Sequence, residues 1–364
     1  MLTLTEPTLL LDKQKCIRNI KMIIEKAKRN NVTLRPHFKT HQSHEVGRWF
    51  RNEGVTKITV SSLQMAEYFA QDGWKDITVA FPVNVHEKER INRLASTITL
   101  NLLVVAPETI AWLAREVKHP VSIFIEADNG YHRSGVSPTD FKTIDAILNE
   151  IKKYPTFNFK GFLGHAGQSY KVTGVNEILR VHKESLAMIL PLKERYKAEY
   201  PNLVLAPGDT PTCSVAENFE GVDEIRPGNL VFYDVMQTLI GSCSVDQVAV
   251  ALACPVVATY PERNEVVVHG GGIHFAKDSW KQPDGSVTFG KVVTRKGNGW
   301  ESDETGMYVK SLSQEHGVIH APKEKAEKIK IGDFLTILPI HSCMTVDAMR
   351  AFTTLDGERF TIYR

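Results

Sequence analysis

The chain has 364 residues, 42% hydrophobic and 24% charged, the composition of a globular protein with ample apolar material for a core. Its 44 lysines and arginines against 42 acidic residues leave a net charge of +2, so electrostatics gives no reason to expect nucleic acid or an anionic membrane as partner. Length alone suggests about two domains.

The opening Met1-Leu2-Thr3-Leu4-Thr5-Glu6 lacks the basic start and long apolar stretch of a signal peptide. Thr8-Leu9-Leu10-Leu11 reads as a strand. Lys13 to Asn30 reads as a helix with Ile17, Ile20, Ile23, Ile24 and Ala27 on one face. Strand patterns follow at 34–39, 58–61, 77–81, 98–104, 121–127, 159–165, 203–206 and 224–226. Helical patterns lie between most of them, at 64–70, 87–95, 108–117, 141–152 and 175–196. Eight strands in this rhythm predict a (β/α)8 TIM-type barrel. An open doubly wound sheet is the rival, but no Gly-x-Gly-x-x-Gly follows the early strands.

The pattern changes near residue 240. Strand-like runs at 247–259, 265–269, 287–293, 307–312, 334–338 and 360–363 then follow one another without long helices, separated by Gly and Pro clusters such as His269-Gly270-Gly271-Gly272. The expected division is a barrel over 1–240 and a mostly β C-terminal domain over 241–364. The longest apolar run, 248–258, is broken by Pro255 and falls short of the roughly twenty residues a membrane helix needs. Cys16, Cys213, Cys243, Cys254 and Cys343 form no Cys-x-x-Cys pair, which points to a reducing, cytoplasmic compartment.

The segment Leu34-Arg35-Pro36-His37-Phe38-Lys39-Thr40-His41 carries the strongest chemical signal. As a strand it would set Arg35, His37, Lys39 and His41 on one face and the apolar residues on the other. Such a polar face suits an edge strand with one wet side. It also suits a lysine aimed from the barrel interior at a carbonyl cofactor or substrate, and a lysine is rarely buried without a task. Polar clusters fall at the carboxyl ends of later strands: 126–135, 165–170, 207–212 and 226–229. In a barrel these loops share one face with Lys39, where catalytic groups gather. The glycine-bearing loops after the seventh and eighth strands are where such barrels bind phosphate. A phosphorylated carbonyl cofactor, pyridoxal phosphate, unites the lysine with the loops.

Several motifs have a familial look: Arg35-Pro36-His37-Phe38-Lys39-Thr40-His41, His132-Arg133-Ser134-Gly135, Gly208-Asp209-Thr210-Pro211-Thr212, Arg226-Pro227-Gly228-Asn229 with Phe232-Tyr233-Asp234, and His341-Ser342-Cys343. Together, in this order along nearly the whole chain, they resemble the D-serine dehydratase-like family, which also holds D-threonine aldolases and D-3-hydroxyaspartate dehydratases. The resemblance implies a fold-type III pyridoxal-phosphate enzyme, with an alanine-racemase-like barrel and a β-domain, forming a homodimer. It implies that Lys39 binds the cofactor aldehyde and that Tyr170 lies against the cofactor. It likens Arg133 to the arginine that approaches the phenolic oxygen, and Arg226 to the one that faces the pyridine nitrogen in alanine racemase. Gly208, Thr210, Gly228 and Asn229 match positions around the phosphate. Asp209 departs from the small hydroxyl residue usual there. A carboxylate beside a phosphate is repulsive, so it is expected to turn away.

His341 and Cys343, after an apolar run, are expected to share one strand face. By resemblance the pair holds a divalent metal that grips the substrate β-hydroxyl, and its thiolate favours zinc. D-threonine aldolases carry a carboxylate where Cys343 stands, whereas the dehydratases carry cysteine. The expected function is therefore β-elimination from a D-β-hydroxy amino acid, giving a keto acid and ammonia. Retro-aldol cleavage to glycine and an aldehyde is the alternative. A racemase, for which no second base is identified, and a non-catalytic cofactor carrier stand further off. The expected partner is a small-molecule D-amino acid.

Overall fold

In the computed structural model, which describes residues 2–282 and 284–363, the chain divides into two units, Lys21–Gly228 and a second made of Met1–Ile20 with Asn229–Arg364. The division falls earlier than the expected boundary at 240. It also takes the first strand, β1 (Thr8–Leu11), and the start of helix α1 (Lys13–Arg29) away from the barrel. A short apolar run reveals that a strand is buried, not which sheet receives it.

The unit Lys21–Gly228 is the barrel. β2 (Thr33–Leu34) is followed by β3 (Lys57–Val60), β4 (Asp76–Pro82), β5 (Thr99–Val104), β6 (Val121–Ala127), β7 (Phe157–Gly164) and β8 (Val204–Pro207), and then by β9 (Glu224–Ile225). β3 to β8 pair in parallel in that order, and β2 pairs with β9. The ring closes through the Thr59 N–H to Pro36 O (2.9 Å) and the Asp223 N–H to Leu205 O (3.0 Å). Helices α2 (His44–Asn52), α3 (Leu63–Gln71), α4 (Lys88–Ala95), α5 (Pro107–Glu116), α6 (Phe141–Lys152) and α7 (Val175–Tyr196) return the chain between strands. Their starts are written locally: Ser62 accepts from the Met65 N–H, Asp140 accepts from the Thr143 N–H, and Pro107 opens α5. Gly161 has φ +141°, and a Cβ there would stand 2.0 Å from the Val204 carbonyl, so β7 and β8 approach this closely only at glycine.

β2 is shorter than the sequence pattern suggests. It stops at Leu34, His37 makes only a single bridge to Thr59, and the chain turns over 38–41. Pro36 has no N–H to offer a neighbouring strand. The expected common face of Arg35, His37, Lys39 and His41 is therefore broken. His41 joins Phe38 instead, 4.3 Å away, in a cluster with Phe50 and Phe69. Trp74 stands edge-on to Phe38 at 5.1 Å. Burying each of the phenylalanine rings contributes about 2–3 kcal/mol.

Within the barrel, Leu103, Phe124, Leu163 and Ala206 form an apolar cluster. Arg35, with 0% exposure, binds Glu224 Oε2 through Nε (2.8 Å) and Asp76 Oδ1 through Nη1 (2.7 Å), and Asn101 donates to the same Asp76 oxygen. Burial alone would raise the Asp76 carboxyl, but the hydrogen bond and charge of Arg35 override it and hold it low. The guanidinium is thus fixed on two sides by charge-assisted bonds.

The second unit is built on a nine-stranded sheet. In order across it stand β11 (Glu265–His269), His316–His320, Tyr308–Leu312, Gly290–Val293, Phe334–Pro339, β10 (Val250–Tyr260), β1, Ala351–Thr354 and Arg359–Thr361. β11 also pairs with β10, bending that end round on itself. β1 lies inside the sheet, antiparallel to β10 and parallel to Ala351–Thr354. The mostly β expectation holds for this unit.

Candidate active site

Lys39 sits in the turn after β2, exposed, its backbone N–H donating to His37 Nδ1 at 3.3 Å. Burial, and then the positive charges of Lys39 and Arg226, hold His37 well below the usual histidine range. His165, at the end of β7, has Nδ1 2.7 Å from the Gly208 carbonyl. Burial first, and then Lys39, Arg133 and Arg226, bring this imidazole down to about 4 against the pull of that carbonyl. Both histidines are neutral at physiological pH, so the cations here are Lys39, Arg133 and Arg226. Arg133, exposed, lies 5.4 Å over the Tyr131 ring. A small pocket is lined by Glu126, Asp128, Asn129, Tyr131, Arg133 and His165, among others.

Arg226 follows β9 and is 5% exposed. Its Nη2 donates to the Ala206 carbonyl, and its Nη1 lies 3.7 Å from Glu224 Oε1. Burial lowers this guanidinium to about 10, still a cation at neutral pH. Glu126 points one oxygen at Ser134 Oγ (2.8 Å) and buries the other without a hydrogen-bond partner. Burial raises its carboxyl above the ordinary range, while Ser134, Arg133 and Arg226 oppose the rise.

The loop after β8 leads into helix α8 (Thr210–Val215), and Asp209 is its cap. The carboxylate accepts from the Thr212 N–H (2.8 Å), Thr212 Oγ1 (2.7 Å) and Ser169 Oγ (2.8 Å). It is thus occupied within its own loop, and burial pushes it up to about 6. The Thr210 N–H donates to the Tyr170 hydroxyl at 3.2 Å, joining two of the expected cofactor residues. Thr210 Oγ1 is buried with no hydrogen-bond partner. That orphaned donor fits the phosphate of an anionic cofactor.

The glycines act through packing. The Gly208 N–H is bound to the Gly164 carbonyl, and a Cβ at Gly208 would stand 2.9 Å from the Arg226 backbone nitrogen. A Cβ at Gly228 would stand 2.7 Å from the His37 carbonyl. Lys39, Arg133, Tyr170, Gly208, Thr210, Arg226 and Gly228 thus all lie in the barrel unit. Asn229 opens the other unit, where its Nδ2 binds Asp234 Oδ2 (2.7 Å) and Ser342 Oγ (3.0 Å).

His341 and Cys343 do not share a strand. The strand ends at Pro339, His341 caps the helix Ser342–Met349, and Cys343 lies in its first turn. The Asp234 carboxylate, which holds the Ser342 N–H at 3.0 Å, competes for the backbone and starts the helix. Asn229 Nδ2 reaches Cys343 Sγ at 3.7 Å, and Asp278 Oδ1 lies 3.2 Å from His341 Nδ1. Burial disfavours the imidazolium, yet Asp278, Cys343 and Asp234 push the ring up to about 11. Surroundings that favour positive charge this strongly, with a nitrogen and a sulfur donor two residues apart, fit a divalent metal ion.

The sequence reading gave no role to a second group in the same unit. His269, His274 and Glu315 bring their ligand atoms within 4.8 Å of one another. His274 Nδ1 accepts the Gly271 N–H at 3.1 Å, so its neutral ring carries hydrogen on Nε2, the atom 3.9 Å from Glu315. Within this group Glu315 Oε2 makes its hydrogen bond with His269 Nε2, at 3.3 Å.

The chain matches two family models: alanine racemase, N-terminal domain, over residues 11–235, and the "Putative serine dehydratase domain" over residues 249–355. It is 30% identical to the D-threo-3-hydroxyaspartate dehydratase of Delftia sp. (strain HT23) over 98% of this chain and 96% of that one. It is 29% identical to the D-serine dehydratase of Dictyostelium discoideum over 92% and 89% of the respective chains. The solved structure of the Delftia enzyme superposes with a TM-score of 0.88 at 28% identity, covering 99% of this chain and 97% of that one.

Proposed function

We propose, for a chain that belongs to the family joining an alanine racemase N-terminal domain to a serine dehydratase domain, a pyridoxal-phosphate-dependent lyase that eliminates water from a D-β-hydroxy amino acid, leaving a keto acid and ammonia. One observation carries the reading: an exposed Lys39 shares the barrel unit with the cations Arg133 and Arg226 and with the buried, unpartnered hydroxyl of Thr210. The two similar dehydratases, matched over nearly their whole length, support elimination.

Lys39 Nζ would hold the cofactor at its aldehyde carbon and, as a neutral amine, would take the proton from the substrate α-carbon. Thr210 Oγ1 donates to the cofactor phosphate, while Asp209 keeps its charge inside the α8 cap. Arg226, a cation held by Ala206 and Glu224, cannot donate a full proton at neutral pH. Tyr170 and Arg133 orient the ring. His341 and Cys343 hold a divalent ion, with zinc favoured by the thiolate. When bound, the cofactor withdraws the electrons left on the α-carbon, and the metal neutralises the departing hydroxide.

Retro-aldol cleavage is the second reading, favoured by the neutral His165, whose Nε2 is free to accept the β-hydroxyl proton. Incubation with D-serine, D-threonine and D-threo-3-hydroxyaspartate separates the two. Keto acid with ammonia supports elimination, and glycine with an aldehyde overturns it. Five free cysteines support a reducing, cytoplasmic setting. The family resemblance supports a homodimer, and light scattering in solution tests this.

A further inference from the structure

Two cations meet on one aromatic ring in the barrel unit. Tyr131, in the loop after β6, has the Arg133 guanidinium 5.4 Å and the Lys171 ammonium 5.4 Å from its ring centroid. Lys171 is exposed and ends the short helical turn Gly167–Lys171 that follows β7. The ring between them is held in place. A Cβ at Gly167 would stand 2.5 Å from it, so only glycine lets this turn lie against Tyr131, and His165 meets the ring edge-on at 5.6 Å.

The carboxylates of the same loop are spent elsewhere. Asp128 accepts from the Gly130 N–H (3.1 Å) and the His132 N–H (2.9 Å), and it lies 2.7 Å from His132 Nδ1. Glu126 gives one oxygen to Ser134 and buries the other. Among the described residues neither Arg133 nor Lys171 has an ion-pair partner. Like charges beside one ring repel each other, and an anion bound there relieves the repulsion. His165 links this pair to the proposed site. Its ring stands 6.5 Å from that of Tyr170, and both Lys39 and Arg133 act on its charge. Arg133 already has a task at the cofactor, whereas Lys171 has none.

We propose that Lys171, seated on Tyr131, determines specificity: it receives a second carboxylate carried on the substrate β-carbon, so that the preferred substrate is dicarboxylic, a 3-hydroxyaspartate, over D-serine and D-threonine. The inference rests on the reading of the barrel site as one that acts on D-β-hydroxy amino acids. Lys171 Nζ gives such a carboxylate a charge-assisted hydrogen bond, while the Tyr131 ring keeps the ammonium in place before the substrate arrives. The side chain of D-serine or D-threonine brings no charge to this position and leaves the two cations unneutralised.

Steady-state kinetics of the holoenzyme on D-threo-3-hydroxyaspartate and on D-serine test it in wild type, Lys171→Met and Lys171→Arg. In wild type kcat/KM should favour D-threo-3-hydroxyaspartate, and the ratio of the two values should shrink as salt is added. Lys171→Met should lower that ratio about tenfold or more, and Lys171→Arg, which keeps the charge, should hold it within about threefold. A wild type that prefers D-serine, or a ratio unchanged in Lys171→Met, overturns the proposal. An equal fall in both variants assigns the loss to packing and also overturns it. Calorimetric titration with D-aspartate and D-alanine, neither of which has a β-hydroxyl to lose, reads the same subsite without turnover. Lys171→Met should weaken D-aspartate about tenfold relative to D-alanine. Equal weakening of both, or of neither, overturns the role of Lys171. No keto acid from either hydroxy amino acid, with D-aspartate still weakened selectively, overturns the elimination reading and leaves Lys171 in its place.

Discussion

The Nδ1 atom of His165 lies 2.7 Å from the carbonyl oxygen of Gly208. A carbonyl only accepts, so Nδ1 carries the hydrogen and Nε2 is left as the bare acceptor. With this imidazole brought down to about 4 by burial and three cations, that arrangement persists through the neutral range. General-base assistance is worth roughly 10²–10⁴-fold. His165→Gln should reduce glycine release by about that factor if retro-aldol cleavage is the reaction. It should leave keto-acid release little changed if Lys39 takes the proton that matters. Kinetics on D-threonine with both products quantified decides the point.

Lys39 should carry the cofactor. The pure protein should absorb as an imine, and borohydride followed by peptide mapping should find the reduced adduct on Lys39. Lys39→Ala should lose all turnover with an unchanged circular dichroism spectrum, because an exposed side chain contributes little packing. An adduct on any other lysine removes the basis for the proposed chemistry.

Thr210→Val tests the phosphate cradle through a group whose burial now has no compensating bond. An unpartnered buried hydroxyl costs about 1–3 kcal/mol, so the cofactor-free variant should melt at or above the wild-type temperature. Its affinity for pyridoxal phosphate should fall about 10- to 100-fold, the value of a hydrogen bond to a charged group. Unchanged affinity would remove Thr210 from the phosphate site.

His41 should impose acid sensitivity on the barrel. Burial within its aromatic cluster brings the ring down to about 3, from an ordinary value of 6.5. A depressed folded-state pKa gives stability that is complete above 6.5 and is lost as the pH falls toward 3, by several kcal/mol in order of magnitude. His41→Phe removes the titration. The drop in melting temperature between pH 7 and pH 5 should be smaller in the variant than in wild type. Equal drops would show that His41 is protonated without strain.

Cys343 should set the choice of metal and, through it, the product. Cys343→Asp replaces a soft donor with a hard one and should shift preference from zinc toward manganese. Keto-acid formation should fall, and product analysis should find glycine and aldehyde rising as a share of turnover. Chelation of the wild type should remove activity while the cofactor absorbance stays. Full activity after verified zinc removal would dissociate the pair from the reaction.

Much of this was legible in the sequence, because β-branched runs alternating with amphipathic helices over some 200 residues leave few alternatives to a barrel. Lys39 stood out too, since polar residues interrupt a segment that otherwise reads as core. The doubt about Asp209 had a physical basis, and the structure satisfies it: the carboxylate turns onto Thr212 and Ser169. What stayed hidden depends on contacts between distant residues. The turn at Phe38 goes with an aromatic cluster gathered from the turn itself, two helices and the residue Trp74 beyond them. The helix after His341 is started by Asp234, more than a hundred residues earlier. Asp278 carries no signal of its own, because an aspartate in a polar loop is ordinary until its neighbour across the fold is known.

The place of β1 between β10 and Ala351–Thr354 orders events during synthesis. Residues 21–228 emerge from the ribosome as one uninterrupted stretch and hold every strand of their own barrel, so they can fold while translation continues. Leu9, Leu10 and Leu11 cannot, because their partners lie more than two hundred residues downstream. A strand made before the barrel is thus among the last to find its place, and a loop closure of that length makes the sheet unit the slower to form. An amino-terminal fusion or trimming that reaches residue 8 would strike the unit holding His341 and Cys343 and spare the barrel that holds Lys39.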